Sequence, residues 1–243
     1  TPSGDPSDWG FDHELYYKGS GMYWNSKVAK PMSEGGEVRG DPDTYVLDGK
    51  SIKVKDEEYI PDLLHKDATA WLEAHKESPF FLYYSLSHVH GEILPTPDSS
   101  PAPKGESNAL RGQRLLADNI AYMDKLVGKL VAELDRLKLR ENTLIVFMGD
   151  NGSTKSAAVD ATIGGKRIEG EKGSMKEGGG LVPFFAAWPG VTPGGKVNAN
   201  VADASDLLPT FAEIAGAPLP TGRVIDGRSL VSQFKGDAKS PRA

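Results

Sequence analysis

Three short, continuous apolar runs constrain this chain more than any other feature. Residues 80–86 (Phe-Phe-Leu-Tyr-Tyr-Ser-Leu), 143–148 (Thr-Leu-Ile-Val-Phe-Met) and 181–188 (Leu-Val-Pro-Phe-Phe-Ala-Ala-Trp) carry apolar side chains at adjacent rather than alternate positions. A strand with one wet face alternates, whereas a strand covered on both faces does not, and such covering is the habit of parallel sheets flanked by helices. Between the first two runs lies a long amphipathic stretch, residues 108–137. There Leu116, Ile120, Met123, Val127, Leu130, Leu134 and Leu137 alternate steps of four and three and so share one helix face. A helix is also expected over residues 58–75, with Ile60, Leu63, Leu64, Trp71 and Leu72 as its apolar positions, Pro61 in its first turn and Pro79 barring its continuation. Residues 203–215 and 229–234 read as two further helices. Strands alternating with helices argue for an α/β layer fold, in which ligands gather beyond the carboxyl ends of the strands.

The remaining segments are less regular. Residues 1–57 are rich in Gly, Pro and Asp, with scattered aromatics such as Trp9, Phe11, Tyr16, Tyr17, Tyr23 and Trp24, and short strands are expected at 45–47 and 51–54. Residues 153–180, rich in Gly and Lys, read as an exposed loop. A chain of 243 residues is long enough to bury a sizeable core. It has no cysteine, which excludes disulfides, thiolate metal sites and a cysteine nucleophile. The 28 Lys and Arg against 34 Asp and Glu give a net charge of −6, which argues against a general nucleic-acid binder. An anionic substrate stays open, because a few cations or a metal reverse the field inside a cleft. No apolar run approaches the ~18 residues of a membrane span. The opening Thr1-Pro2-Ser3-Gly4-Asp5-Pro6 is neither basic nor apolar, so no signal peptide is expected there.

Three polar clusters accompany the apolar runs. Ser87-His88-Val89-His90-Gly91 follows the first. Two imidazoles at a spacing of two on an extended chain point the same way, and each can serve as acid, base, metal ligand or anion donor. Asp150-Asn151-Gly152 follows the second run. Its carboxylate and carboxamide oxygens suit a hard cation such as Ca²⁺, and the same tripeptide equally suits a tight turn. The third cluster, Glu171-Lys172-Gly173 through Gly178-Gly179-Gly180, precedes the last run. Its lysines offer ammonium groups to an anionic oxygen, and its composition is also that of a solvated loop.

Together and in this order, these clusters resemble the sulfatase family of the alkaline phosphatase superfamily. Trp9-Gly10-Phe11-Asp12 is similar to the family's Gly-Phe-Asp segment. Pro79-Phe80-Phe81-Leu82-Tyr83-Tyr84 with His90 and Pro95-Thr96-Pro97-Asp98-Ser99 is similar to its histidine-bearing strand and loop. Glu141 through Phe147 leading to Asp150-Asn151-Gly152 is similar to its metal-binding strand end, and Gly170-Glu171-Lys172-Gly173 with Glu177-Gly178-Gly179 and Val182-Pro183 to its sulfate-contacting loop. Trp188-Pro189-Gly190, Ser205 through Thr210, Leu219-Pro220 and Asp226-Gly227-Arg228-Ser229-Leu230 follow in the family's order.

The resemblance implies an alkaline-phosphatase-like three-layer αβα sandwich with a mostly parallel central sheet, incomplete on its amino-terminal side. Residues 1–243 would form one partial catalytic domain, 1–57 its irregular segment and 58–243 its α/β portion. The implied activity is hydrolysis of a sulfate monoester, a sulfated saccharide or an aryl sulfate, by a formylglycine nucleophile with Ca²⁺. Asp150 and Asn151 would be metal ligands, and Lys172 and His90 catalytic, His90 being favoured over His88 by its spacing to Pro95-Thr96-Pro97. The chain itself carries no sign of its location; the resemblance implies a periplasmic or secreted protein. The family's Cys/Ser-x-Pro-x-Arg nucleophile motif, its Gly-Lys-Trp-His segment and two further aspartates find no match here, and the chain stops soon after Ser229. The resemblance therefore implies a fragment cut at both ends and inactive alone. Two alternatives stand beside it: a phosphatase or phosphodiesterase of the same superfamily, which would use two zinc ions and more than the five His present, and a non-catalytic remnant that binds a sulfated glycan.

Overall fold

The amino-terminal segment is organised by a three-stranded antiparallel sheet. Strand β1 (Leu15–Tyr17) lies beside β2 (Thr44–Leu47), which folds back onto β3 (Lys50–Lys53). Asp48 and Gly49 make that reversal with φ of 47° and 72°, the left-handed pair that a two-residue hairpin requires. In this computed structural model the described residues are 4–17, 23–25, 28, 44–91, 93–154, 161–237 and 239–242. They fall into two units, Thr1–Leu137 and Lys138–Ala243.

In the first unit, Tyr45 of β2 is fully buried with Val54 and Ile60, and Leu63 and Leu64 pack on them. Ile60 opens helix α1 (Ile60–His75), which starts two residues later than the sequence pattern suggests, with Pro61 buried in its first turn. Helix α2 (Asn108–Arg136) is capped by Ser107, whose side chain accepts the Leu110 N–H. Tyr122 and Leu126 of α2 join Tyr23, Tyr59 and Leu94 in a second core cluster.

The buried stripe of α2 is not the one expected. Leu115, Asn119, Tyr122, Leu126 and Leu134 face inward, while Ile120 is 48% exposed. The helix is rotated because two polar residues find partners inside. Asn119 Nδ2 donates to the carbonyls of Leu94 and Leu115, both at 2.9 Å, and the Tyr122 hydroxyl donates to the Asp62 carboxylate at 2.8–2.9 Å.

Residues 80–86 correct a second expectation. They belong to no strand ladder among the described residues, and their burial alternates. Phe80 and Tyr84 turn inward, 6.2 Å from the rings of Trp71 and His65 respectively, while Phe81 and Tyr83 are 55% and 71% exposed. The run is therefore covered on one face, not two.

In the second unit, β4 (Ile145–Met148) is followed by a short hairpin of β5 (Thr162–Ile163) and β6 (Lys166–Arg167) and by a single helical turn, α3 (Glu177–Gly180). Strand β7 (Phe184–Ala187) pairs antiparallel with β4, Ile145 opposite Ala187 and Met148 opposite Phe184. The parallel pairing expected of these runs is not what the described residues make.

Helix α4 (Leu207–Ala215) extends a 3-10 turn at Ala204–Asp206, and α5 (Val231–Phe234) follows. Asp206 ties this part together while fully buried. Its carboxylate accepts the N–H groups of Asp203 (2.9 Å) and Arg228 (2.7 Å) and the guanidinium of Arg242 through Nε (2.9 Å) and Nη2 (2.5 Å). Burial alone would push this carboxyl up. The Arg242 bonds and the backbone donors outweigh it and hold the pKa below its ordinary value. Among the described residues no helix is long and apolar enough to cross a membrane.

Candidate active site

The carboxyl end of β4 is laced to the Gly-rich loop that precedes β7. The Gly149 N–H donates to Pro183 O at 3.1 Å, Gly152 N–H to Gly179 O at 3.0 Å, and Lys172 N–H to Ser153 O at 2.7 Å. The two segments approach so closely that only glycine fits. A Cβ on Gly152 would collide with the carbonyl oxygen of Gly178, one on Gly178 with that of Gly170, and one on Gly179 with that of Ser174. The loop expected to be simply solvated is thus partly packed, with Gly152 and Gly178 buried.

This lacing brings three of the four sequence-derived site residues into one loop cluster. Asp150 is exposed and Asn151 half-buried, and neither side chain has a hydrogen-bond partner among the described residues. Lys172 occupies a turn closed by Ser174 N–H to Glu171 O at 2.9 Å, with Gly173 at φ 85°. Its ammonium is exposed and has no ion pair among the described residues, whereas nearby Lys176 is paired with Glu169 at 3.1 Å. Asp150 and Asn151 fit Ca²⁺ in kind, offering hard oxygens without other bonds among the described residues. They do not fill a coordination sphere of about 6–8 oxygens, and no group of three or more potential metal ligands assembles among the described residues.

The two histidines of residues 87–91 part company. Val89 takes φ 65°, so His88 and His90 sit on a turn rather than on an extended strand and differ in their surroundings. His88 is only 4% exposed, its ring stacked on Tyr122 (centroids 5.9 Å) and edge-on to Tyr23 and Tyr59 (both 6.0 Å). Its Nε2 shares a hydrogen bond with the Tyr59 hydroxyl at 3.1 Å, and burial lowers its pKa to about 4. His88 is therefore a neutral core residue. His90 stays half-buried, its N–H donating to Ser87 O at 3.3 Å and its carbonyl accepting the Tyr23 hydroxyl at 2.8 Å. Its Nδ1 is buried with no hydrogen-bond partner among the described residues.

Two features carried no sequence signal. His13 bridges Asp48 (3.0 Å) and Asp67 (2.9 Å). Burial pulls its pKa down, but the hydrogen bond and charge of Asp67 and then of Asp48 outweigh it and raise the value. Ser153 and Ser174, unremarkable in a Gly-rich stretch, turn out to hold the Lys172 turn by backbone and side-chain bonds.

Comparison with known proteins fits this geometry. The family model described as Sulfatase matches residues 3–217. Arylsulfatase H of Canis lupus familiaris is 35% identical over 188 residues, covering 74% of this chain and 31% of that protein. Arylsulfatase A of Homo sapiens is 38% identical over 169 residues, covering 69% and 31%. Among solved structures, Ps i-CgsB superposes with a TM-score of 0.80 at 28% identity, covering 99% of this chain and 53% of its own. The same protein has been solved in complex with k-i-k-neocarrahexaose. The chain thus spans about a third of the length of the curated relatives it matches and about half of the solved chain. With a family model over most of its length and relatives at this identity, the chain belongs to the sulfatase family.

Proposed function

We propose that residues 1–243 are a portion of a sulfatase catalytic domain, a three-layer αβα sandwich in its entirety, that hydrolyses a sulfate monoester. The observation that carries this reading is the hydrogen bond from Lys172 N–H to Ser153 O, two residues beyond Asn151. It sets the backbone of Lys172 against the strand end that carries Asp150 and Asn151, and a cation and hard oxygens on neighbouring segments, without partners among the described residues, are a way to meet an anion and a cation in one place. Lys172 neutralises charge on the sulfate oxygens. His90 contacts the sulfate or delivers a proton to the leaving oxygen. Asp150 and Asn151 would hold a Ca²⁺ ion, which when bound supplies positive charge at the sulfate and its attacking group. The nucleophile is a formylglycine outside these residues, since the sequence has no Cys and no Ser-x-Pro-x-Arg motif. The chain by itself is then inactive. The substrate is a sulfated saccharide or an aryl sulfate. The saccharide complex of Ps i-CgsB supports the former, and the names of the arylsulfatase relatives support the latter. By the same kinship the protein acts in the periplasm or outside the cell.

The test is sulfate release from an aryl sulfate and from a sulfated oligosaccharide by the enzyme that contains this chain together with a nucleophile segment. Lys172→Ala should lower turnover about 10²–10³-fold, the typical loss for one preorganised donor, and Lys166→Ala should leave it unchanged. Equal rates for both variants would remove Lys172 from the site. Bound zinc in place of calcium, with turnover of phosphate esters, would favour a phosphatase of the same superfamily.

A further inference from the structure

We propose that Ser174 is a positioning residue for Lys172, acting with Gly152, Gly178 and Gly179 to fix where its ammonium stands. This rests on the role given to Lys172 above. Ser174 closes the turn on both sides. Its N–H donates to Glu171 O at 2.9 Å, and its Oγ accepts the Glu171 N–H at 3.1 Å. Lys172 and Gly173 are the two central residues of that turn, and Gly173 supplies the positive φ of 85° that the second position needs. The Lys172 N–H, left free by the turn, is spent on Ser153 O at 2.7 Å. The backbone around Lys172 is thus held at three points, while its side chain is held at none among the described residues.

The glycines give this turn a fixed base. Gly179 lies directly against the carbonyl of Ser174, with no room for a Cβ, and its own carbonyl accepts the Gly152 N–H at 3.0 Å. Gly178 N–H donates to Glu169 O at 2.7 Å, so the loop is closed at its entry as well. A shift of Ser174 would therefore be passed to Lys172 on one side and to the strand end bearing Asp150 and Asn151 on the other. A long lysine side chain samples many rotamers, so the anchoring of its Cα decides how often its ammonium meets a bound anion.

The experiment compares Ser174→Ala, Ser174→Thr, Lys172→Ala and the Ser174→Ala/Lys172→Ala double variant in the enzyme that contains this chain. It follows 4-nitrophenyl sulfate turnover and amide hydrogen exchange. Loss of one hydrogen bond corresponds to about a three- to tenfold effect. Ser174→Ala should lower kcat by that factor with KM little changed, Ser174→Thr should restore it, and Ser174→Ala should cost nothing further once Lys172 is gone. Exchange at the Glu171 and Lys172 amides should quicken in Ser174→Ala and not in Ser174→Thr. Unchanged exchange, or an equal loss of kcat with and without Lys172, overturns the positioning role. Faster exchange with a Lys172→Ala enzyme of full activity upholds the positioning of the turn and overturns only the role of Lys172 in catalysis.

Discussion

His88 places a titratable ring inside an apolar cage, and the cost of charging it there is what lowers its pKa from 6.5 to about 4. The unfolded chain protonates this ring near pH 6.5 and the folded one does not. The folded state therefore loses stability as pH falls from about 6.5 toward 4, on the order of 3 kcal/mol when complete. His13 works in the opposite sense. Its pKa is raised by Asp67 and Asp48 against the pull of burial, so its contribution is present at low pH and is lost as pH rises through the folded value. Replacing His88 with Phe keeps a ring in the cage and removes the titration. Thermal melts of His88→Phe should lose most of the decline seen in the parent between pH 6.5 and 4, and an identical slope in both proteins would show that His88 is not its source. At this scale the candidate site was readable only in part. Asp150, Asn151 and Lys172 stand in motifs whose order can be followed along the chain. The division of labour between His88 and His90 could not be read, because it depends on a positive φ at Val89 that nothing in a β-branched residue announces.

Elements were legible in their existence more than in their orientation. Helix α2 occupies the stretch that its period marks, yet its buried side is set by Asn119 and Tyr122, which a count of apolar residues passes over. The consequence is measurable. Leu126, fully buried in a cluster of aromatic rings, should cost about 2–5 kcal/mol when changed to alanine. Ile120, counted on the core face by periodicity but 48% exposed, should cost no more than about 0.5 kcal/mol. Urea unfolding of the two variants distinguishes the faces, and equal losses would restore the original stripe. The loop between β4 and β7 is largely exposed, as expected, but its glycines were misread. Glycine suggests freedom in a sequence, whereas at residues 152, 178 and 179 it marks crowding. Gly152→Ala should destabilise the second unit far more than Gly165→Ala, even though Gly165 has the positive φ and Gly152 does not. A larger drop in melting temperature for Gly165→Ala would contradict the close approach.

For the molecule as a whole, apolar surface and charge pull in different directions. A net charge of −6 favours solubility. Against it stand Tyr83 and Phe185, each more than half exposed on runs whose composition is that of covered strands. Exposed aromatic rings of this kind favour association, so the purified chain should associate as its concentration rises, and Tyr83→Lys should weaken that association in sedimentation. A single monomeric species at every concentration would rule this out. The composition of these runs states that they are to be covered; it does not state by what, because that depends on surfaces far away in sequence. The Asp206 hub has a consequence of another kind. Among the described residues its one side-chain cation is Arg242, thirty-six positions further along the chain. Without that guanidinium the carboxylate keeps only the N–H groups of Asp203 and Arg228, and a buried charge that loses its counter-charge is left under-compensated. The second unit is thus closed by a clasp between distant positions, and any recombinant version shortened to residue 241 should melt lower than one that keeps Arg242.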